Sequence, residues 1–585
     1  MTITKNHDSN NKPNMKNFLP ILEWLPKYNK TLFKGDLAAG LTVGVMLIPQ
    51  GMAYAMLAGL PPIYGLYASI FPLIIYAIFG TTRQLAVGPV AMDSLLVAAG
   101  VGAIATAGSA EYIALAILLA FMVGVILFVM GIFRLGFLVN FLSRPIISGF
   151  TSAAALIIAS SQLKHLLGLK LESTTYLYET LIEVGKNIGQ TNLITLAIGV
   201  GAIVVLKLIK KHKPAFPSQL AVVILGIGVV WGLGLADKGV KIVAEVPEGL
   251  PAFGIPAITV ENLQTLLPIA ITIALIAFME AISVGKAIQA KHKDFEIDPN
   301  QELIALGLAN MVGSFFKSFN VTGGFSRSAV NDEAGAKTGM AGVISAALIV
   351  LTLLFLTPLF YYLPTAVLGA IIIVAVLGLI NIRMVKYLWL TDRADFAMLV
   401  ATFFGTLFLG MQWGVLVGIG LSLLVLLVKT TRPHYAVMGK IPNEPHYKNV
   451  QRFPDLEIAD DTLIIRFDAG LYFANIGYFK EVIKKHIKEK GDQLKAFFLD
   501  ADSINNIDSS AVYALEEIVD ECRDQGIKFY IIAVKGPVRD VLSKTKLMDK
   551  IGKNHFFMQT EHAMNFYRSE KDDLFKEYAT QITEE

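Results

Sequence analysis

The sequence predicts a polytopic α-helical membrane protein that ends in a small soluble α/β domain. Three observations carry that prediction. The 585 residues are 54% hydrophobic and 17% charged, against roughly 25% charged in an ordinary soluble chain. The average hides two regimes: residues 435–585 hold 47 charged side chains (31%), whereas residues 1–434 hold 50 (12%), 29 basic against 21 acidic. Apolar stretches of the roughly 20 residues needed to cross hydrocarbon as a helix recur from Asp36 to Lys429. This composition argues against a secreted protein, a disulfide scaffold and a simple soluble enzyme. The single cysteine, Cys522, excludes an intramolecular disulfide and a cysteine-based metal site.

Taken in chain order, residues 1–30 read as a cytoplasmic N-terminal segment. MTITKNHDSNNKPNMKN has neither the apolar centre nor the cleavage site of a signal peptide, so the first membrane segment is expected to direct insertion itself. Residues 31–434 form the membrane domain. Clear apolar windows fall near 36–58, 62–79, 112–133, 145–163, 191–208 and 215–236, then near 263–285, 339–360, 364–381, 394–410 and 411–429. The 300–316 stretch is weaker, and 84–100 and 320–335 are interrupted by Gly, Pro or charge. Together they make about fourteen crossings. An even number places both termini on one side, which the soluble tail makes the cytoplasm. Loops then assigned inside hold fourteen Lys/Arg, among them Arg83, Arg134, Arg144, Lys207 and Lys210, against six outside, in keeping with the positive-inside bias.

Two segments depart from a plain span. QLAVGPVAMDSLL (Gln84–Leu96) and FNVTGGFSRSAVN (Phe319–Asn331) each read as a short extended run, a Gly-Pro or Gly-Gly break, and a helix-compatible piece carrying charge or hydroxyl. Aligned on Gly88 and Gly323, they occupy the third place of each half if the spans divide seven and seven. Interrupted apolar segments at matching places in two halves point to a transporter's binding site. A half-helix starting at mid-membrane aims free N–H groups and roughly +0.5 charge at the bilayer centre. Two such starts with Arg327 could nearly neutralise a dianion without a metal, and Ser326, Ser328 and Thr322 could donate hydrogen bonds to it. The alternative for Arg327 is an ion pair with Asp332 or a position reaching the interface. Glu280 is the one charge in the 263–285 window. An ionised carboxylate there is costly, which suits a group that accepts and releases a proton during transport; its alternative role is a permanent partner of Arg327 or of a helix N-terminus. Gln50, after Pro49, and Tyr54 on the same helical face could line a cavity.

Residues 435–565 form the α/β domain and 566–585 a C-terminal tail. TLIIRFDAGLYF, LKAFFLDAD and KFYIIAV read as buried strands, and NIGYFKEVIKKHIKEK and SSAVYALEEIVDECRDQ as amphipathic helices. Asp508, Ser509 and Ser510 precede a helix, where such residues are most often N-caps. A Gly-x-Ser-x-Gly elbow and a GxxxxGK[ST] phosphate loop are both absent, so neither hydrolase nor ATPase chemistry is supported, and no cofactor, metal or nucleic acid is expected.

At this point the residues resemble a known family. PQGMAYAMLAGLPPIYGLYASIFPLIIYAIFGTTRQLAVGP is similar to the signature of the SulP sulfate permeases (solute carrier 26 in animals), FSRSAVNDEAGAKTGMAG to their second hallmark, and FDAGLYFANIGYF with IDSSAV to their C-terminal STAS domain. The resemblance implies a fourteen-span inverted repeat of seven and seven. In it a core domain (spans 1–4 and 8–11) moves, elevator-like, against a gate domain (5–7 and 12–14), in a homodimer. It implies an anion site at Gln50, Tyr54, Val90, Ser326 and Arg327, with Glu280 matching the acid associated with cation coupling. Asp508 and Ser510 match the Asp and the phosphorylated Ser of anti-anti-sigma factors. Ala511 replaces their usual glycine, which favours dimerisation or docking to a cytoplasmic protein over phosphorylation.

The expected function is thus secondary active uptake of an inorganic anion, sulfate with protons, in the inner (cell) membrane. Bicarbonate or dicarboxylate symport, or anion exchange, at the same site is the alternative, and sodium is the alternative coupling cation. A channel-like conductor and a STAS-based sensor are the other classes. Bringing a dianion in against about −100 mV costs about 4.6 kcal/mol, of which one proton offsets half. Net accumulation therefore needs a second cation or exchange, and Asp93 is the only other obvious acid in the core segments.

Overall fold

The computed structural model describes residues 18–570 except 138–142, 172–175, 213–216, 290, 293–294 and 379. Residues 1–17 of the expected N-terminal segment and 571–585 of the expected tail lie outside the described residues. Two compact units divide between Ser422 and Leu423.

The first unit is helical. α1 (Lys30–Leu57) starts at Asn29, whose Oδ1 accepts from the Thr31 and Leu32 amides at 2.9 and 3.1 Å. Pro61 and Pro62 break the chain before α2 (Ile63–Tyr67) and α3 (Phe71–Phe79). α1 and α2 cross backbone to backbone: a Cβ on Gly65 would stand 1.9 Å from the Gly51 carbonyl oxygen. Strand β1 (Val87–Gly88) leads into α4 (Ala91–Gly102), followed by α5 (Ala110–Ile132), α6 (Arg144–Ser161), α7 (Leu193–His212) and α8 (Ser218–Gly232). The second half runs through α9 (Val260–Gln289), α10 (Pro299–Phe315), β2 (Thr322–Gly323), α11 (Phe325–Glu333), α12 (Met340–Leu351), α13 (Thr365–Leu377), α14 (Arg393–Leu409) and α15 (Met411–Thr431). Counting α2 with α3 as one crossing, the described residues hold fourteen membrane helices, and the third of each half is broken by a two-residue strand. Among the described residues, seven helices are long and apolar enough to cross a membrane on length and composition alone. At 1.5 Å per residue, α4 and α11 reach only about 18 and about 14 Å of the roughly 30 Å hydrocarbon core. They are half-spans.

Packing sorts the helices into two groups. α1 lies against α11 and α12, α10 against α3 and α5, and α9 against α4 and α5; separately, α6 packs on α13 and α14, and α7 on α8 and α13. α8 and α13 also touch α1, joining the groups. α7 and α8 leave Leu193, Val204, Ile224, Leu225 and Trp231 exposed, an apolar surface suited to lipid rather than water.

The weak 300–316 window is a complete helix, and its polar residues explain the weak signal. Buried Glu302 accepts from Tyr76 Oη (2.7 Å) and the Thr81 and Thr82 amides (2.8 and 2.9 Å), tying α10 to the end of α3. Buried Asn310 clamps Val321 at both N–H and C=O, each at 2.9 Å. Span 8 also runs past the expected end at 285 to Gln289, so Glu280 lies nine residues, not five, from its end.

The second unit is a six-stranded sheet of order β4-β3-β5-β6-β7-β8. Its strands are β3 (Tyr435–Lys440), β4 (Tyr447–Asn449), β5 (Thr462–Phe467), β6 (Ala496–Asp500), β7 (Lys528–Ile532) and β8 (Phe556–Phe557). β5 through β8 are parallel, and β3 pairs antiparallel with β4 and β5. The three expected strands form the centre. β3, β4 and β8 lacked the continuous apolar run that marks a strand buried on both faces. α16 (Ile476–Lys490) and α17 (Ser509–Asp524) both end at positive-φ glycines: Gly491 closes the first (+60°) and Gly526 follows the second (+71°). α17 buries Ala511, Val512, Leu515, Ile518, Val519 and Cys522. Burial, then the Glu521 carboxylate, pushes the Cys522 thiol up to about 12. We expect maleimide labelling of Cys522 to be negligible in the native protein and complete in denaturant; rapid native labelling would show that α17 is not packed as described.

Candidate functional site

The site is built where the two broken spans meet. β1 and β2 pair antiparallel, Val87 opposite Gly323 and Gly88 opposite Thr322, and this ribbon sets the starts of α4 and α11 side by side. α11 grips the other segment's backbone through its side chains. Ser328 Oγ accepts from the Ala86 amide (2.9 Å), Asn331 Nδ2 donates to the Gln84 carbonyl (2.9 Å), and Arg327 Nη1 donates to the Pro89 carbonyl (2.5 Å). Glycine at 324 permits the last contact, because a Cβ there would stand 2.9 Å from Arg327 Nη2.

Neither half-helix has a side-chain cap: Val90 and Gly324 occupy the N-cap positions, and neither side chain accepts a hydrogen bond. The first N–H groups at each start thus have no helical or side-chain cap partner, and both starts line a cavity with about 480 Å³ of empty space, part of it open to solvent. Val90, Ala91 and Met92 line it from one start, Phe325, Ser326 and Arg327 from the other, and Gln50, Tyr54 and Glu280 from α1 and α9. Gln50, Tyr54, Val90, Ser326, Arg327 and Glu280 therefore line one space. Arg327 is 2% exposed, and its Nε and Nη2 have no hydrogen-bond partner among the described residues. Gln50 Oε1 and Glu280 Oε2 are likewise buried and unpartnered.

Unpaired buried donors of that kind cost free energy unless a ligand satisfies them. Two uncapped helix starts contribute about +1 together, and the guanidinium adds a full charge. The arrangement can hold a small polyoxyanion by backbone N–H groups, a hydroxyl and two guanidinium nitrogens.

Several sequence expectations are corrected in detail. Ser328 and Thr322 do not face the cavity: Ser328 holds Ala86, and Thr322 Oγ1 donates to the Ala277 carbonyl (2.7 Å). Their hydroxyls hold the ribbon instead of a ligand. Asp332 is not the partner of Arg327; its carboxylate meets His292 Nε2 (2.5 Å) and Lys291 Nζ (3.4 Å). Arg327 and Glu280 form no ion pair within 4 Å among the described residues. Sequence reasoning missed Ala375 and Val376 of α13, which close the cavity from the other helix group. They are apolar residues in an apolar run and gave no signal. It also missed Asn320, whose Nδ2 lies 2.6 Å from Asp93 Oδ2; an amide beside a break in an apolar segment was the available clue. In the second unit, Asp508 caps α17, Oδ1 accepting from the Ala511 amide (2.9 Å), while Oδ2 accepts from the Phe473 amide (2.8 Å). Ser510 is exposed in the first turn.

Half-spans meeting in a membrane bundle, in a chain that also folds a separate α/β unit, define a polytopic membrane transporter. The sequence profile of the sulfate permease family matches residues 33–402, and that of the STAS domain residues 453–563. The chain belongs to the sulfate permease family, whose members are transporters and not enzymes. It is 39% identical to Sulfate transporter 4.1, chloroplastic, of Arabidopsis thaliana over 93% of this chain and 82% of the relative. To High affinity sulfate transporter 2 of Stylosanthes hamata it is 35% identical over 94% and 86%. Among solved structures it is similar to the murine Slc26a9 anion transporter in the inward-facing state, with a TM-score of 0.89, 27% identity, and 97% and 96% of the two chains covered. The overall structure of SLC26A9 gives a TM-score of 0.87 at 28% identity over 96% and 94%. The chain is an integral membrane protein that transports anions.

Proposed function

We propose that this protein takes up sulfate by secondary active transport driven by protons. Gln50, Tyr54, Val90, Ser326 and Arg327 hold the anion, and Glu280 carries a coupling proton. The observation that carries this reading is the pair of unpartnered guanidinium nitrogens of Arg327 between two uncapped half-helix starts, with an unpartnered Glu280 oxygen at the same cavity. Two full charges' worth of positive potential suits a dianion better than bicarbonate, and the names of the plant relatives favour sulfate.

The cavity lies between two helix groups, with Ala375 and Val376 on one side and the other lining residues on the other. That division supports an elevator-like movement of spans 1–4 and 8–11 against 5–7 and 12–14. Residues 31–434 act as the transport domain, 435–565 as the STAS domain, both termini are cytoplasmic, and the protein works as a homodimer in the cell membrane. Asp508 acts as a helix cap, and the exposed Ser510 turn serves STAS docking to a cytoplasmic partner.

Proteoliposome uptake of labelled sulfate, bicarbonate and fumarate, with and without an inward proton gradient, tests the reading. Saturable sulfate uptake stimulated by the gradient is expected. Uptake of bicarbonate or fumarate in preference to sulfate would overturn the substrate assignment, and single-channel currents would replace the carrier with a channel.

A further inference from the structure

Asp93 is a buried acid that the anion site does not use. It lies in the first turn of α4, fully inaccessible, and it does not line the cavity. Its Oδ1 has no partner among the described residues, and its Oδ2 faces the Asn320 side-chain amide at 2.6 Å. Asn320 is equally buried, and its own Oδ1 is unpartnered.

Two physical conflicts follow if Asp93 is ionised. A carboxylate with one hydrogen bond and no cationic partner is expensive to bury. It also places a full negative charge in the first turn of the half-helix whose roughly half-positive end faces the anion, so it cancels the field the site relies on. Asp93 does not escape by capping: neither carboxylate oxygen accepts from an amide of its own helix.

Protonation removes both conflicts. Side-chain amide orientation is a matter of network assignment. With Asn320 turned so that its oxygen faces Asp93, the carboxylic acid donates to it. The separation of 2.6 Å is an O–H···O length and shorter than the usual 2.9–3.0 Å of N–H···O. The charged and titratable groups on the neighbouring elements are Glu280 on α9, whose charge acts on Asp93 and on Tyr54 of α1, and Arg327 on α11, whose charge acts on Glu280 and Tyr54. Glu280 and Asp93 therefore repel if both are ionised.

We infer that Asp93, held by Asn320, is a second proton-carrying group, so that one sulfate dianion enters with two protons and the cycle moves no net charge. The inference rests on the sulfate–proton reading above and sets its stoichiometry. Proton and anion binding are linked in both directions: a proton at Asp93 restores the positive helix end that sulfate binds, and bound sulfate holds that proton.

The test is steady-state accumulation of labelled sulfate in proteoliposomes holding the full chain, with pH gradient and valinomycin-set potential varied separately. For the wild type, accumulation is expected to rise about 100-fold per unit of pH gradient, two protons at tenfold each, and to be insensitive to potential. Asp93→Asn is expected to give about tenfold per pH unit, and to lose about tenfold for each roughly 59 mV of inside-negative potential. Asn320→Leu, which leaves the acid but removes its partner, is expected to shift the pH dependence of uptake. A wild-type slope of one proton overturns the inference without recourse to any variant, as does an Asp93→Asn slope of two. Replacement of the proton dependence by sodium dependence overturns it as well. Absence of sulfate uptake altogether would instead remove the sulfate reading, and this inference with it.

Discussion

Arg327→Ala is expected to abolish sulfate uptake while leaving the protein monodisperse in detergent. Arg327 lines the cavity, is 2% exposed, and its Nε and Nη2 have no hydrogen-bond partner among the described residues. Each hydrogen bond to a charged acceptor contributes about 1.5–3 kcal/mol. Losing two therefore lowers affinity by at least about 100-fold, before loss of the charge itself is counted. Arg327 also holds the Pro89 carbonyl through Nη1, so alanine loosens the turn into α4 as well. Arg327→Lys separates the two effects. It keeps the charge but loses the planar fork, and uptake should be weakened rather than lost. The measurement is sulfate KM and maximal rate in proteoliposomes, together with thermal stability of each purified variant. Uptake by Arg327→Ala at the wild-type level would remove the anion-site assignment.

The second large effect is expected from Glu280→Gln. Its Oε2 is unpartnered at the cavity wall, and no ion pair fixes it to Arg327. Glutamine resembles the protonated acid in shape and charge and cannot release the proton. The variant should therefore still exchange labelled for unlabelled sulfate across the membrane. Driven accumulation should fall by at least about tenfold per unit of pH gradient, the share of one proton. Equal accumulation by the variant and the wild type would exclude Glu280 from coupling. Loss of exchange as well as accumulation would make it part of the anion site instead.

What could be read from sequence follows from contrast with the background. Glu280 and Arg327 stand out because almost nothing around them is charged, and Gly88–Pro89 and Gly323–Gly324 because they interrupt otherwise helical runs. Those features were enough to locate the meeting of the half-spans before any coordinates. Side-chain direction was not legible. Ser326 and Ser328 are the same residue type two positions apart, yet one lines the cavity and the other holds the Ala86 amide. On a helix, positions i and i+2 face away from each other, and which of them faced the ligand depended on how α11 docks on β1. The α13 wall was invisible because Ala375 and Val376 differ in no respect from their apolar neighbours. The polar clamps at Glu302 and Asn310 weakened the apparent hydrophobicity of span 9, and their partners, Thr81, Thr82 and Val321, become evident only in three dimensions. In the second unit, long buried strands were legible from continuous apolar runs, whereas the edge pieces β4 and β8 are only three and two residues long.

The central claim is that anion and proton move together through one site. It is tested most directly by adding sulfate to proteoliposomes in a lightly buffered medium, with no initial gradient of pH or potential, and recording external pH. The account predicts that the medium turns alkaline as sulfate enters, and that Glu280→Gln diminishes the change relative to sulfate moved. Sulfate entry without any change in external pH would contradict it.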